Sequence, residues 1–248
     1  MELNLLVHEL ANFLQVGRFQ DYCPNGLQVE GRPEVRKIVT GVTASQALID
    51  AAIEAGADAI MVHHGYFWRG EPAEVTGMKR RRLKQLLTHD ISLLAYHLPL
   101  DAHPEVGNNV QLGKVLDWPL TGYLDDKNML PQTALPRAVT LQQLGQHVSE
   151  KLGRQVQLLG EPERLVRSVA WCTGAAQSYI QQAVATNVDV FLSGEVSEPT
   201  WHITRETDTA YIAAGHHATE RYGIQALGHW LTERYGIECI YVEVDNPI

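Results

Sequence analysis

The chain has 248 residues, 45% of them hydrophobic and 20% charged, with a formal net charge of −9 at pH 7. That length can bury one large core or two smaller ones, and the composition is that of an ordinary soluble globular protein. The acidic balance speaks against a generic binder of nucleic-acid backbones, which draws its affinity from clustered Lys and Arg.

The first residues, MELNLLVHELANFLQ, lack the basic region and cleavage site of a signal peptide. No apolar run approaches the roughly 20 residues that cross a bilayer, so no membrane partner and a cytoplasmic location are expected. Cys23, Cys172 and Cys239 are widely spaced and form no CxxC pair, which argues against a disulfide framework and a thiolate zinc site. The stretch from Asp21 to Gly26 (DYCPNG) reads as a turn whose Asn25 and Gly26 could also line a pocket. IVTGVTAS then reads as a strand ending in small polar residues. QALIDAAIEAG has apolar positions at helical spacing, with Gly56 as its stop, and ADAIMVHH is a second buried strand. A strand–helix–strand this compact pairs its strands in parallel through a right-handed crossover. The basic run Lys79 to Arg82 fits the solvated face of a helix, with a grip on an anionic substrate as the secondary reading. LLAYHLPLD follows as an apolar strand that reaches His97, with Asp101 four residues later.

The middle, roughly residues 120 to 167, breaks this rhythm. DDKNMLPQTALPRAV is proline-punctuated and loop-like. TLQQLGQHVSEKLG reads as a helix capped by Thr140, and RQVQLL as a short strand. At 131 positions beyond the first copy the strand–helix–strand returns as VAWCTGAAQSYIQQAVATNVDVFLSGE, aligning Gln46 with Gln177 and Asp58 with Asp189. At an offset of 119, IAAGHHATE matches LLAYHLPLD, so that His216 and Glu220 repeat the spacing of His97 and Asp101. The C-terminal TERYGIQALGHWLTERYG is an amphipathic helix and IECIYVEV a last alternating strand. The expected fold is α/β, with two similar interlinked α/β domains built on a duplicated unit: residues 1–125 carrying His63, His64 and Asp101, and residues 126–248 carrying His216 and Glu220.

Ligands of open α/β sheets bind beyond the carboxyl ends of the parallel strands. His63, His64, His97, Asp101, His216 and Glu220 all fall at or just past such ends. Imidazole and carboxylate suit zinc, manganese or iron, and the absence of cysteine ligands favours an open site. Adjacent side chains on a strand point to opposite faces, so His63 and His64 would diverge at Gly65 toward neighbouring ions, which the two oxygens of Glu220 could bridge. Two cations about 3.5–4 Å apart can activate a water and polarise a substrate oxygen, which points to hydrolysis. His8, His89, His147 and His229 read as surface or hydrogen-bonded residues, and His217 as supporting or structural. Glu195 and His202 either face the same cavity or, for Glu195, cap the next helix. No GxSxG, Walker A or GxGxxG motif is present.

The motifs DYCPNGLQVEG, IVTGVTASQALID, VHHGYFWRGE, GMKRRRLK, HLPLDAHPEVGNN, VAWCTGAAQSYI, SGEVSEPTWH and AAGHHATERYGIQAL span nearly the whole chain. Together they resemble the Nif-three-like proteins, also called GTP cyclohydrolase 1 type 2 homologs. The resemblance implies a toroidal homohexamer with metal pairs facing an interior cavity. It implies two divalent ions (Fe, Mn or Zn) held by His63, His64, Asp101, His216 and a bridging Glu220. One ion would take His64 and Asp101, the other His63 and His216. His217 stands where many relatives have tyrosine, and Gly194-Glu195 where they have Gly-Asp. The implied chemistry is a metal-dependent hydrolysis in which a metal-bound hydroxide adds to the purine imidazole carbon of a nucleotide-type substrate and ring opening releases formate. His97 would support a ligand or transfer a proton. The alternatives are a metal-binding or metal-insertion protein without catalysis of its own, and a two-metal phosphoesterase.

Overall fold

Aliphatic and β-branched runs set the strands of two sheets in the computed structural model, which describes residues 1–248. The elements in the first part of the chain are α1 (Leu3–Phe13), β1 (Gly26–Val29), β2 (Lys37–Thr43), α2 (Gln46–Glu54), β3 (Ala59–His64), α3 (Gly77–Thr88), β4 (Ser92–Ala95) and α4 (Leu98–Ala102). There follow α5 (Asn108–Val115), β5 (Gly122–Tyr123), β6 (Pro131–Thr140), α6 (Leu141–Leu152), β7 (Gln157–Leu159) and β8 (Leu165–Cys172). The last are α7 (Ile180–Ala185), β9 (Val190–Ser193), α8 (Glu198–Glu206), β10 (Ala210–Ala213), α9 (His216–Tyr235) and β11 (Glu238–Tyr241). No helix is long and apolar enough to cross a membrane.

The first sheet has strand order β1-β4-β3-β2-β11 and the second β5-β6-β8-β9-β10-β7. Each is built around one copy of the repeat. β2 and β3 pair in parallel with Val39 opposite Ile60, and β8 and β9 do so with Ala170 opposite Phe191, the same register 131 residues on. The parallel strands, four in the first sheet with β11 beside β2 and three in the second, meet an antiparallel edge strand, β1 beside β4 and β7 beside β10. The matched aspartates have matched duties. Asp58 accepts the backbone N–H groups of Arg36 and Lys37 at the start of β2, and Asp189 accepts those of Arg167 and Ser168 at the start of β8. Both carboxyls are held below the ordinary carboxylate range; burial opposes this but is outweighed by the backbone donors.

The third strands differ in detail. Ile60 faces Leu93, whereas Phe191 faces Tyr211, a spacing of 118 rather than the 119 that relates His97 to His216. The second copy therefore has one more residue between strand and histidine, in the turn Ala214-Gly215, where Gly215 takes φ +98°.

By contacts the chain divides into Met1–Leu100 with Gly223–Asp245, and Asp101–Tyr222 with Asn246–Ile248. This differs from a division at 125/126, and the reasons are local. In the first unit β11 pairs with β2, Trp230 of α9 stacks on Phe13 at 3.8 Å, and the Tyr235 hydroxyl donates to Glu9. In the second, Leu112 and Leu116 of α5 join Val169, Trp171 and Ile212 in one core, and the Trp171 indole N–H donates to the Asn109 carbonyl. The core of the first unit gathers Val39, Leu48, Ile60, Val62, Leu86 and Leu93.

The proline-punctuated middle is a loop only in its first part, residues 124–130. The rest forms β6, ten residues long, with Pro131 as its first residue and Pro136 inside a register shift between Ala134 and Val139. Proline is tolerated at both places because neither demands a ladder N–H from it. Thr140 caps α6 as expected, in a full capping box with Gln143.

Candidate metal centre

In the first unit β3 ends on His63 and His64, and Gly65 turns the chain away. The two rings lie 4.5 Å apart by centroid, and His97, two residues past β4, lies 5.1 Å from His63 and 5.8 Å from His64. One ring nitrogen from each of the three falls within 4.8 Å of the others, a spacing that could hold a metal ion. Gly65 has no room for a side chain, since a Cβ there would collide with Gln28 Oε1 and sit 2.6 Å from the Ala95 Cβ. Gln28 in turn accepts from the Tyr66 N–H at 2.7 Å, which fixes the turn after the histidines.

Each of these rings is oriented through Nδ1. His63 Nδ1 donates to the Tyr96 carbonyl at 3.0 Å, His97 Nδ1 donates to Asp21 Oδ1 at 2.7 Å, and His64 Nδ1 meets the Thr43 hydroxyl at 3.2 Å. Asp21, which the sequence presents as part of a turn, is the organiser. Its carboxylate also accepts from Tyr22 N, Asn25 Nδ2 and Leu98 N, while Asn25 Oδ1 accepts from His97 N. The segment from Asp21 to Asn25 is thus strapped across the end of β4. Burial would raise the Asp21 carboxyl, but the bonds and charge of His97, with Asn25 and Tyr22, lower it to about 2. Cys23 lies within the same reach of Asp21 and His97, yet burial and the Asp21 charge push its thiol up to about 12. It therefore stays protonated and is a poor ligand.

In the second unit Asp101 is buried and accepts from Asn108 Nδ2 at 2.9 Å and Thr173 Oγ1 at 3.4 Å. One oxygen of Asp101 and one of Glu220 lie within 4.8 Å of each other. Glu220 Oε2 stands 2.9 Å from His216 Nε2, and His216 Nδ1 donates to Glu195 Oε1 at 2.7 Å. Burial alone would depress the His216 imidazole, but Glu220 and then Glu195 outweigh it and raise it to about 9. Glu195 is therefore the residue that orients His216. His202 does not join it: that side chain lies on an exposed face of α8 and pairs with Glu198 at 2.7 Å. His217 is buried, and its backbone N–H donates to the Ile248 carbonyl. Burial, aided by Asp101 and Glu220, keeps the neighbouring Cys172 thiol protonated.

Three glycines floor this edge. Gly174, Gly194 and Gly215 lie just beyond β8, β9 and β10 and are joined by backbone bonds, Gly194 N to Gly174 O and Gly215 N to Gly194 O. A Cβ on Gly174 (φ +67°) would collide with Glu220 Oε1, and one on Gly194 would sit 2.7 Å from the His216 Cα. The donor chemistry fits a divalent cation: Nδ1 is taken up by an oxygen partner in each ring, which leaves Nε2 as the nitrogen for a cation, and on His216 a cation would replace the proton that Glu220 now shares.

The chain belongs to the Duf34/NIF3 (NGG1p interacting factor 3) family, whose profile matches residues 1–247. Among its relatives, the GTP cyclohydrolase 1 type 2 homolog of Pseudomonas aeruginosa is 55% identical, over 99% of this chain and 98% of that protein. The protein of the same name from Escherichia coli K12 is 49% identical over the same shares. The solved structure of the protein ybgI, described as of unknown function, superposes with a TM-score of 0.96 at 48% identity, covering 100% of both chains. A structure from Thermus thermophilus gives 0.89 at 33% identity, also over 100% of both.

Proposed function

We propose that His63, His64, Asp101, His216 and Glu220 are the ligands of two divalent ions, with Glu220 bridging. The protein is then a metal-dependent hydrolase of the kind its relatives' name denotes, acting on a nucleotide-type substrate. The observation that carries this reading is that His63, His97 and His216 each donate Nδ1–H to a carbonyl or carboxylate oxygen, with His64 placed likewise on a hydroxyl. That is the arrangement by which proteins fix a ligating or proton-carrying imidazole. The ions, of iron, manganese or zinc, would supply a water of lowered pKa and a Lewis acid for the substrate oxygen.

The chain's own residues do the rest. Glu195 holds the His216 ring and Asn108 holds the Asp101 carboxylate, so neither must reorganise when a cation arrives. Asp21 anchors His97 at Nδ1 and so fixes the ring, which suits its other nitrogen, Nε2, to take up and return a proton during ring opening. The homohexameric ring implied by the family resemblance is part of the same proposal, and light scattering on the purified protein measures it directly.

The test is formate release from GTP by protein loaded in turn with manganese, iron and zinc, with metal content measured on the same samples. Two equivalents of metal and formate production are expected. Two equivalents without formate under any of the three metals would remove the cyclohydrolase reading while leaving the metal centre.

A further inference from the structure

Arg154 stands apart from the other cations of the second unit. Its backbone is fixed: α6 ends in Gly153 at φ +69°, and Arg154 N donates back to Ser149 O at 3.1 Å. Arg221 braces the same helix end by donating to the Leu152 carbonyl. The Arg154 side chain is half-buried and lies flat against Gly215, so that a Cβ there would fall 2.5 Å from its Cζ and 3.0 Å from its Nε. Yet the guanidinium has no hydrogen bond and no ion pair, in a chain with 29 Asp and Glu against 20 Lys and Arg. Desolvating a guanidinium without a partner is costly, and a planar five-donor fork is matched to the oxygens of a phosphoryl group. Gly215 belongs to the turn with one residue more than its counterpart in the first copy, and it directly precedes His216.

We propose that Arg154 is the oxyanion-binding residue of the site and grips a phosphoryl group of the substrate beside His216. This deepens the reading above and rests on it. The basic run of α3 does not supply the same service. Lys79 is committed to Glu71 and to the Pro72 carbonyl, Arg80 and Arg81 lie on the exposed face, and Arg82 is half-buried against Tyr66 of its own unit. Arg154 meets the ligand's negative charge at the very turn that presents His216, where Glu195 and Glu220 would otherwise repel it. The absence of a Cβ at Gly215 is what lets the guanidinium lie against this turn, since a Cβ there would fall 2.5 Å from its Cζ.

Calorimetric titration of pyrophosphate, GTP and guanosine into wild-type, Arg154→Gln and Arg154→Lys protein tests this, on metal-loaded and on metal-stripped samples. Removing one charge-assisted bidentate contact should weaken pyrophosphate and GTP about tenfold or more in Arg154→Gln and less in Arg154→Lys. Guanosine binding and metal content should not change. Equal affinity of wild type and Arg154→Gln for pyrophosphate would overturn the proposal, as would no pyrophosphate binding by the wild type. If wild-type protein takes up no metal, the hydrolase reading fails separately, and the stripped-protein arm still decides the role of Arg154.

Discussion

Gly174 is the residue on which the carboxylate side of the site turns. Its φ of +67° is costly for any L side chain, by about 1–2 kcal/mol, and the space its Cβ would need is filled by the Glu220 carboxylate. Gly174→Ala should therefore displace Glu220 and cost at least half of the bound metal, read by elemental analysis of the folded protein. Unchanged stoichiometry would detach Glu220 from the ligand set. The histidines beyond the strand ends are legible in the sequence because they interrupt apolar runs, and Asp101 in α4 and Glu220 in α9 because each follows a histidine at the same four-residue spacing. Their supports are not. Asp21 lies 76 residues from His97 in a stretch rich in turn formers, so nothing local marks it as the buried anchor of an imidazole. Glu195 could be read equally as a helix cap, and only its 2.7 Å approach to His216 Nδ1 separates the two roles.

At the scale of elements, the duplicated strand–helix–strand is legible to the register, since the same 131-residue offset relates the pairings of β2 with β3 and of β8 with β9. Asp58 and Asp189 show what that repetition preserves: one carboxylate closing the start of two strands' connection in each copy. Asp58→Ala removes the acceptor for two backbone N–H groups and should cost about 1–3 kcal/mol at neutral pH. Because the folded-state pKa lies below the unfolded value near 3.9, the stabilisation is complete above that pH and is lost as pH falls through the folded value. The difference in Tm between wild type and Asp58→Ala should thus be largest near pH 7 and shrink below about pH 4. A difference independent of pH would assign the effect to packing. β6 is the element that the sequence misstates, because its two prolines carry a loop signal that the strand start and the register shift neutralise.

For the whole molecule, division of the chain by contacts interleaves the sequence. The first unit takes back residues Gly223–Asp245 after the second has claimed Asp101–Tyr222. Hydrophobic pattern alone places a boundary in the proline-rich middle, but β11 completes the first sheet beside β2, and a cut at 125 would strip that sheet of its edge. Metal binding should report on this whole as a stability effect, since a ligand held only by the folded state stabilises it by about 2.7 kcal/mol at one hundred times its dissociation constant. Wild-type Tm should rise on loading with zinc or manganese and fall on chelation. A Tm indifferent to both would count against resident ions.

The glycine floor beneath His216 and Glu220 has a consequence for how such a site can change over time. Gly174, Gly194 and Gly215 offer no side chain to exchange, and each is hemmed in by ligand, backbone or guanidinium. A shift in what the site accepts cannot be written there without dismantling it. The room for variation lies at the end of α6, where the turn bearing Arg154 can be lengthened or recharged while His216 and Glu220 stay put. Members that act on different molecules should therefore diverge first at that turn, and swapping it between two of them is the smallest graft with a chance of carrying specificity across.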